Sequence, residues 1–141
     1  MDYELLDNKL TAKDFLRLRE ISGWSLMPKE QAEAGLKNSL FSVVAMAGGQ
    51  VIGMGRLVGD GFTMCYIQDI IVLPEYQGKG IGSAIMERLL AYVSDNAMHG
   101  TSVLTGLFSA KGKEGFYQKF GFYIRPNETR GPGMLLEVKS K

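Results

Sequence analysis

Residues 70–82 read Ile-Ile-Val-Leu-Pro-Glu-Tyr-Gln-Gly-Lys-Gly-Ile-Gly. This stretch decides the fold because it joins an apolar strand pattern, a glycine-rich loop and the start of a helical pattern. Glycines let the backbone approach a ligand closely, and the first turn of the following helix adds a partial positive charge. Successive backbone N–H groups that turn inward in such a loop bind anions. The stretch therefore predicts a phosphate-binding loop.

Two better-known phosphate-binding motifs do not fit these residues. A P-loop needs glycine, four residues, and then Gly-Lys followed by Ser or Thr, and this pattern is absent from the sequence. The dinucleotide fingerprint needs glycine at the sixth position counted from Gly78, where this chain has Ser83. The loop therefore favours neither a nucleotide triphosphatase nor a dinucleotide-binding enzyme.

The patterns on either side of the loop predict a sheet. Three strand patterns are present: one begins at Phe41, one begins near Val51, and one covers residues 62–73. Gly48-Gly49 is the turn signal between the first and second, and Asp60-Gly61 is the turn signal between the second and third. Helical spacing of apolar residues follows the loop at Ile81, Ile85, Leu89 and Tyr92. A further strand pattern at residues 101–108 is reached through that helix, which predicts a βαβ crossover and one parallel strand pair.

The remaining patterns predict helices before the sheet and a short unit after it. Thr11 and Asp14 form a capping-box pattern for a helix that ends near Ile21, and a second helix follows Pro28. Residues 112–120 predict a short helix, and residues 134–138 predict a terminal strand. We expect one domain over residues 1–141, of the α/β (α+β) class, with a mixed, mostly antiparallel central sheet and helices on both faces.

Composition limits the partners and the location. Lys and Arg total 16 against 15 Asp and Glu, so no broad field of one sign is available to bind nucleic acid or a membrane surface. One cysteine and one histidine predict neither an internal disulfide nor a metal site. Residues 1–10 carry acidic side chains where a signal peptide would be apolar. We therefore expect a cytoplasmic protein without metal, membrane or nucleic-acid partners.

Gln77-Gly78-Lys79-Gly80-Ile81-Gly82 resembles the Gln/Arg-x-x-Gly-x-Gly/Ala signature of GNAT-type N-acetyltransferases, and residues 115–122 are similar to that family's Phe-Tyr-x-Lys-x-Gly-Phe segment. The resemblance covers nearly the whole chain. It implies the GNAT-like acyl-CoA N-acyltransferase fold and acetyl-CoA as co-substrate, with the pyrophosphate on the main chain of residues 77–82 and the pantetheine arm on Val72. The implied cofactor-binding residues are Ile71, Val72, Leu73, Gln77, Gly78, Lys79, Gly80, Ile81, Gly82, Ser83 and Phe116.

The resemblance also implies candidates for acid and base catalysis. Tyr117 matches the residue credited with donating a proton to the departing thiolate, and its alternative role is that of an aromatic core residue. Polyamine acetyltransferases are similar here but have Glu-Asp where this chain has Gln68-Asp69, and Gln68 cannot accept a proton. Strand alternation predicts that these two side chains point to opposite faces. Asp69 could be the base or a structural carboxylate, water could take the proton, or the substrate could differ.

The acceptor is expected to contact Trp24, Gln68 and Arg125, although the mixed charges around Arg125 favour a solvated loop over a segment that orients the substrate. The resulting hypothesis is an enzyme that acetylates a primary amine of a small molecule. Two alternatives stay open: a CoA-binding sensor or interaction module without catalysis, and acetylation of a protein lysine or N-terminus. A homodimer is possible, with residues 134–138 as a contact.

Overall fold

The computed structural model describes residues 2–141. These residues form two compact units, one that ends at Leu107 and one that comprises Phe108–Lys141, and each unit is described by itself.

The first unit consists of a five-stranded sheet with three α-helices. In chain order its elements are β1 (Glu4–Asp7), α1 (Ala12–Ile21), α2 (Lys29–Lys37), β2 (Phe41–Ala47), β3 (Gln50–Gly59), β4 (Met64–Val72), a 3₁₀ turn (Pro74–Tyr76), α3 (Ile81–Asn96) and β5 (Leu104–Leu107). The strand order is β1-β2-β3-β4-β5. The first three pairs are antiparallel, and β4 pairs with β5 in parallel. The predicted mixed sheet with its crossover is therefore confirmed.

Local sequence signals account for most of these boundaries. The Asp14 N–H donates to Thr11 Oγ1 at 3.2 Å, as the capping-box pattern predicts. Gly48 and Gly49 both have positive φ, 58° and 75°, which the tight turn between β2 and β3 requires. Strand β1 was not predicted, because its four residues are too few to show an alternating pattern, and it exists by pairing with β2.

Helices cover both faces of the sheet. On one face, Gly55 in β3 leaves room for Ile85 and Leu89 of α3, because a Cβ at Gly55 would lie 2.7 Å from Ile85 Cγ2 and 3.0 Å from Leu89 Cδ1. On the other face, the Arg56 guanidinium lies 5.6 Å from the centre of the Phe15 ring in α1. Neighbouring residues of one strand thus contact helices on opposite faces, which is the predicted layer arrangement.

Replacing Gly59 with alanine should destabilise the protein by about 2–3 kcal/mol, because strain and overpacking act together. Gly59 has φ 127°, and a Cβ there would lie 2.4 Å from the carbonyl oxygen of Met64. Urea unfolding measures the effect. The matched control is Gly35→Ala in α2, where a Cβ meets nothing within 4 Å. That change should stabilise by about 0.5–1 kcal/mol through helix propensity. Equal signs for the two variants would contradict this account.

The second unit, Phe108–Lys141, contains the helix α4 (Glu114–Gln118), which lies within the predicted short helix. The predicted terminal strand is wrong. Residues 134–138 have no strand conformation, and Met134, Leu135, Leu136 and Val138 are each more than 80% exposed. Their apolar pattern is typical of a strand, but a strand forms only where a neighbouring strand completes its hydrogen bonds, and this unit has none among its described residues.

Among residues 2–141, no helix combines the length and the apolar character that crossing a bilayer requires.

Candidate functional site

The glycine loop begins where β4 ends. The Leu73 N–H donates to the Ile52 carbonyl of β3 at 2.9 Å, so the sheet fixes the start of the loop. After the 3₁₀ turn, Gly78 and Gly80 take left-handed conformations with φ 75° and 82°. Gly80 is also the residue that caps α3, and no side chain caps this end of the helix. The loop therefore turns directly into the first helical turn.

The backbone N–H groups of this segment are free to bind a ligand. Among residues 2–141, no group accepts a hydrogen bond from the N–H groups of residues 78–83. The first helical bond runs from the Ala84 N–H to the Gly80 carbonyl at 3.0 Å. Gly78, Lys79 and Gly80 are exposed. Such a run of free donors at a helix N-terminus, with left-handed glycines between them, forms an anion-binding site.

The Gln77 side chain closes the loop against the strand that precedes it. Its Nε2 donates to the Val72 carbonyl oxygen at 2.8 Å. This bond spans the 3₁₀ turn and holds the two residues that flank it together. The Gln77 side chain is thus used inside the protein, and the candidate anion site consists of the main chain that follows it.

The last residues of β4 have one open edge. Strand β5 pairs only with Met64–Ile67, so it does not extend alongside the end of β4. The Leu73 N–H points toward β3, and N–H groups alternate in direction along a strand. The Val72 N–H therefore points to the open edge, where an amide of an extended ligand could pair with it.

A bulge in β4 precedes this open edge. The register pairs Arg56 with Gln68 and Met54 with Ile71, so Asp69 and Ile70 together oppose Gly55. Asp69 has φ 61°, a left-handed conformation that is uncommon outside glycine. The bulge also breaks the predicted alternation. Gln68 is the register partner of Arg56, so these two side chains are on the same face of the sheet. Arg56 also donates to the Asp69 carboxylate, so Asp69 is on that face as well, and not on the opposite one.

Two arginines hold the Asp69 carboxylate. Arg19 Nη1 donates to Oδ1 at 2.6 Å, and Arg56 Nε donates to Oδ2 at 2.9 Å. Only 2% of the Asp69 side chain is exposed. Each oxygen therefore already accepts a hydrogen bond from a guanidinium group, and the arrangement favours the structural role among the roles open to Asp69.

Arg19 also fixes the bend between α1 and α2. Its Nε and Nη2 donate to the Ser25 carbonyl oxygen at 3.1 and 2.7 Å. Its guanidinium lies 5.3 Å from the ring centres of both Phe15 and Trp24. One side chain thus connects the β4 bulge to the bend that carries Trp24, and it brings two predicted site residues, Trp24 and Asp69, to the same cluster.

Neither arginine was predicted from the sequence to be part of the site. Arg56 is the one charged residue in the ten-residue strand β3, and a charge within a mostly apolar strand signals a buried partner. Arg19 gave no such signal, because a basic residue in the last turn of a helix is ordinary.

Several predicted cofactor-binding residues can act only through their main chain. The side chains of Ile71, Leu73 and Ile81 are each less than 5% exposed and belong to the core. The Leu73 N–H already bonds β3. Among the predicted cofactor-binding residues of this segment, the main-chain groups that stay available to a ligand are those of Val72 and of residues 78–83.

The other predicted residues lie in the second unit. Tyr117 packs edge-on against Phe116 and Phe122, with ring centres 5.1 and 6.2 Å away. Burial raises the pKa of the Tyr117 hydroxyl above its ordinary value, so the hydroxyl keeps its proton at neutral pH. Arg125 lies in an exposed loop, where its Nε donates to the Gly131 carbonyl oxygen at 2.6 Å.

Comparisons with known proteins agree on one family. The model of the acetyltransferase (GNAT) domain matches residues 38–124. The structure of SA2161 from meticillin-resistant Staphylococcus aureus, described as a probable acetyltransferase, is 36% identical, with a TM-score of 0.85 and coverage of 97% of this chain and 100% of that one. The GNAT family protein SP0256 from Streptococcus pneumoniae is 30% identical, with a TM-score of 0.79 and coverage of 98% and 100%. Serotonin N-acetyltransferase 2, chloroplastic, from Oryza sativa subsp. japonica is 29% identical over 89% of this chain and 70% of its own length.

Proposed function

Because this chain belongs to the GNAT acetyltransferase family, we propose that it transfers the acetyl group of acetyl-CoA to a primary amine of a small molecule. The observation that carries the proposal is the run of unpartnered N–H groups at residues 78–83. Within residues 2–141 these N–H groups have no acceptor, and they lie at the helix N-terminus in the segment that matches the family signature, which supports a role as donors to an anion.

Main-chain donors can bind a diphosphate without a basic surface. The chain has a formal net charge of +1, so attraction by overall charge is weak. A hydrogen bond to a charged group contributes about 1.5–3 kcal/mol. A few such bonds from the loop would approach the roughly 8 kcal/mol of a micromolar complex. The open edge of β4 then offers the Val72 N–H to the pantetheine arm, so the thioester would lie near the bulge.

The reaction needs few groups from the protein. A neutral amine attacks the thioester carbonyl carbon, the new C–N bond forms and the C–S bond breaks. The leaving thiolate takes a proton from the Tyr117 hydroxyl, and the new amide nitrogen loses its extra proton. We assign that proton to water, because both oxygens of Asp69 already accept from guanidinium groups. Water then returns a proton to the Tyr117 phenolate, which restores the hydroxyl for the next turnover.

Replacing Tyr117 with phenylalanine should lower kcat by about 100-fold, since a positioned proton donor is lost. Because burial raises the Tyr117 pKa, the wild-type rate should stay high until the pH passes the ordinary pKa of tyrosine and then fall. The variant should lack this alkaline decline. Thiol release measured across pH tests both points.

The matched control is Tyr123→Phe, which removes a hydroxyl from a tyrosine that is 55% exposed in the same unit. It should keep the wild-type rate and profile. A Tyr117→Phe variant with wild-type kcat would remove Tyr117 from the mechanism.

A panel of amines, assayed with acetyl-CoA and thiol detection, tests the proposed function. Turnover of a small amine supports it. The alternative of a CoA-binding sensor or interaction module predicts binding in isothermal titration without turnover of any amine. The alternative of protein acetylation predicts that peptides with a lysine or a free N-terminus react and small amines do not.

We further propose that both compact units act together as one acetyltransferase domain, since the matched region, 38–124, includes parts of each. A homodimer and a cytoplasmic location stay predictions. The rice relative is chloroplastic by name.

A further inference from the structure

The cluster at the β4 bulge offers no negative charge to a substrate. Two guanidinium groups, of Arg19 and Arg56, share the single carboxylate of Asp69, which leaves one more positive than negative charge. The Asp69 side chain is 2% exposed, and the arginine side chains are 12% and 16% exposed. A substrate that carries an ammonium group besides its reacting amine would therefore meet a net positive charge at this cluster, whose one carboxylate is already bound by both arginines.

The bend between α1 and α2 adds no acidic group to this cluster. Residues 21–28 read Ile-Ser-Gly-Trp-Ser-Leu-Met-Pro and contain no Asp or Glu. The acidic residues that border the bend, Glu20 and Glu30, are exposed, and within residues 2–141 neither forms an ion pair with the cluster.

The bend instead exposes apolar surface. Three large apolar residues of this short segment are exposed to solvent: Ile21 by 51%, Trp24 by 37% and Leu26 by 54%. The Arg19 guanidinium covers the Trp24 ring at 5.3 Å, and its bonds to Ser25 and Asp69 hold it there. The Trp24 ring is thus fixed in position and still accessible, which suits stacking on a flat apolar group.

We infer that the acceptor is a monoamine whose amino group is attached to an aromatic or apolar group, which packs on Trp24, and that amines with a second positive charge are poor substrates. The inference rests on the proposed function, since it assigns the acceptor side of the same site. The positive cluster excludes the second ammonium, and the apolar bend binds the remainder of the molecule.

Matched pairs of amines test the inference. Hexylamine and hexane-1,6-diamine have the same chain and differ by one ammonium group, and kcat/KM should be at least about tenfold higher for hexylamine. Of the three amines, 2-phenylethylamine should have the highest kcat/KM. A preference for the diamine would overturn the inference while leaving the acetyltransferase function intact. So would turnover of lysine peptides alone.

Variants of Trp24 test the stacking surface. Trp24→Ala should lower kcat/KM for 2-phenylethylamine about tenfold, because stacking and buried area are lost. Trp24→Phe should keep most of the wild-type kcat/KM for this amine, and the Kd of acetyl-CoA should be unchanged in both Trp24 variants. The control Phe62→Ala removes another half-exposed ring, in the turn between β3 and β4, and should have no effect. Unchanged kcat/KM in Trp24→Ala would overturn the inference. Failure to bind acetyl-CoA, or to release thiol with any amine, would instead refute the proposed function and the inference with it.

Discussion

Replacing Gly80 with valine should weaken acetyl-CoA binding by about 100-fold or more, from the loss of charged hydrogen bonds and from backbone strain. Gly80 has φ 82°, a conformation that a β-branched residue strongly disfavours. Its ideal Cβ meets no atom within 4 Å, so valine would not crowd the core. The strain should rotate the N–H groups beside it, and the side chain would project from the exposed loop toward the ligand. Isothermal titration with acetyl-CoA measures the change.

Gly100→Val is the control for this change. Gly100 also has a positive φ, 79°, with open space around its Cβ, and it lies in the turn after α3. The two variants share the strain, and only the Gly80 variant alters the anion site. Gly100→Val should therefore lose some stability and keep the wild-type Kd. A folded Gly80→Val variant with wild-type affinity would show that the loop is not the pyrophosphate site.

Replacing Asp69 with alanine should destabilise the protein by about 3–5 kcal/mol, because it leaves two largely buried guanidinium groups without their carboxylate. The same change removes a side chain that tolerates the left-handed conformation at φ 61°. Asp69→Asn should lower the free energy of unfolding by less than Asp69→Ala, since asparagine tolerates this conformation and keeps one acceptor oxygen. Urea unfolding at neutral pH measures both variants.

Glu33→Ala provides the comparison for Asp69→Ala. The Glu33 carboxylate pairs with Lys29 at 3.9 Å, and its side chain is 56% exposed. Removing an exposed pair of this kind should cost no more than about 0.5 kcal/mol. If Asp69→Ala cost as little, the arginine cluster would not stabilise the bulge, and the assignment of the amine proton to water would lose its main support.

The features predicted correctly from sequence all have local signals. The capping box at Thr11, the hairpin glycines and the glycine turn before α3 each depend on residues a few positions apart, and the structure reproduces these local conformations. The arginine cluster has no local signal. Arg19 bonds Asp69 across 50 positions of the sequence, and Arg56 does so across 13. Only tertiary structure brings these side chains together.

Two wrong predictions also concern features that depend on distant parts of the chain. Strict alternation placed Gln68 and Asp69 on opposite faces, but the bulge is set by the pairing of β4 with β3, which the sequence of β4 alone does not reveal. The terminal strand was predicted from the apolar pattern of residues 134–138, and whether such a pattern becomes a strand depends on a partner elsewhere.

The close approach of α3 to β3 has a consequence for how the enzyme meets its cofactor. Ile85 and Leu89 occupy the space that a Cβ at Gly55 would fill, so the sheet and the helix are locked together without a gap. The first turn of that helix therefore already has its final orientation before any ligand arrives. If the proposed pyrophosphate site is correct, recognition of the diphosphate should resemble docking onto a rigid template, with no slow rearrangement of the helix between collision and capture.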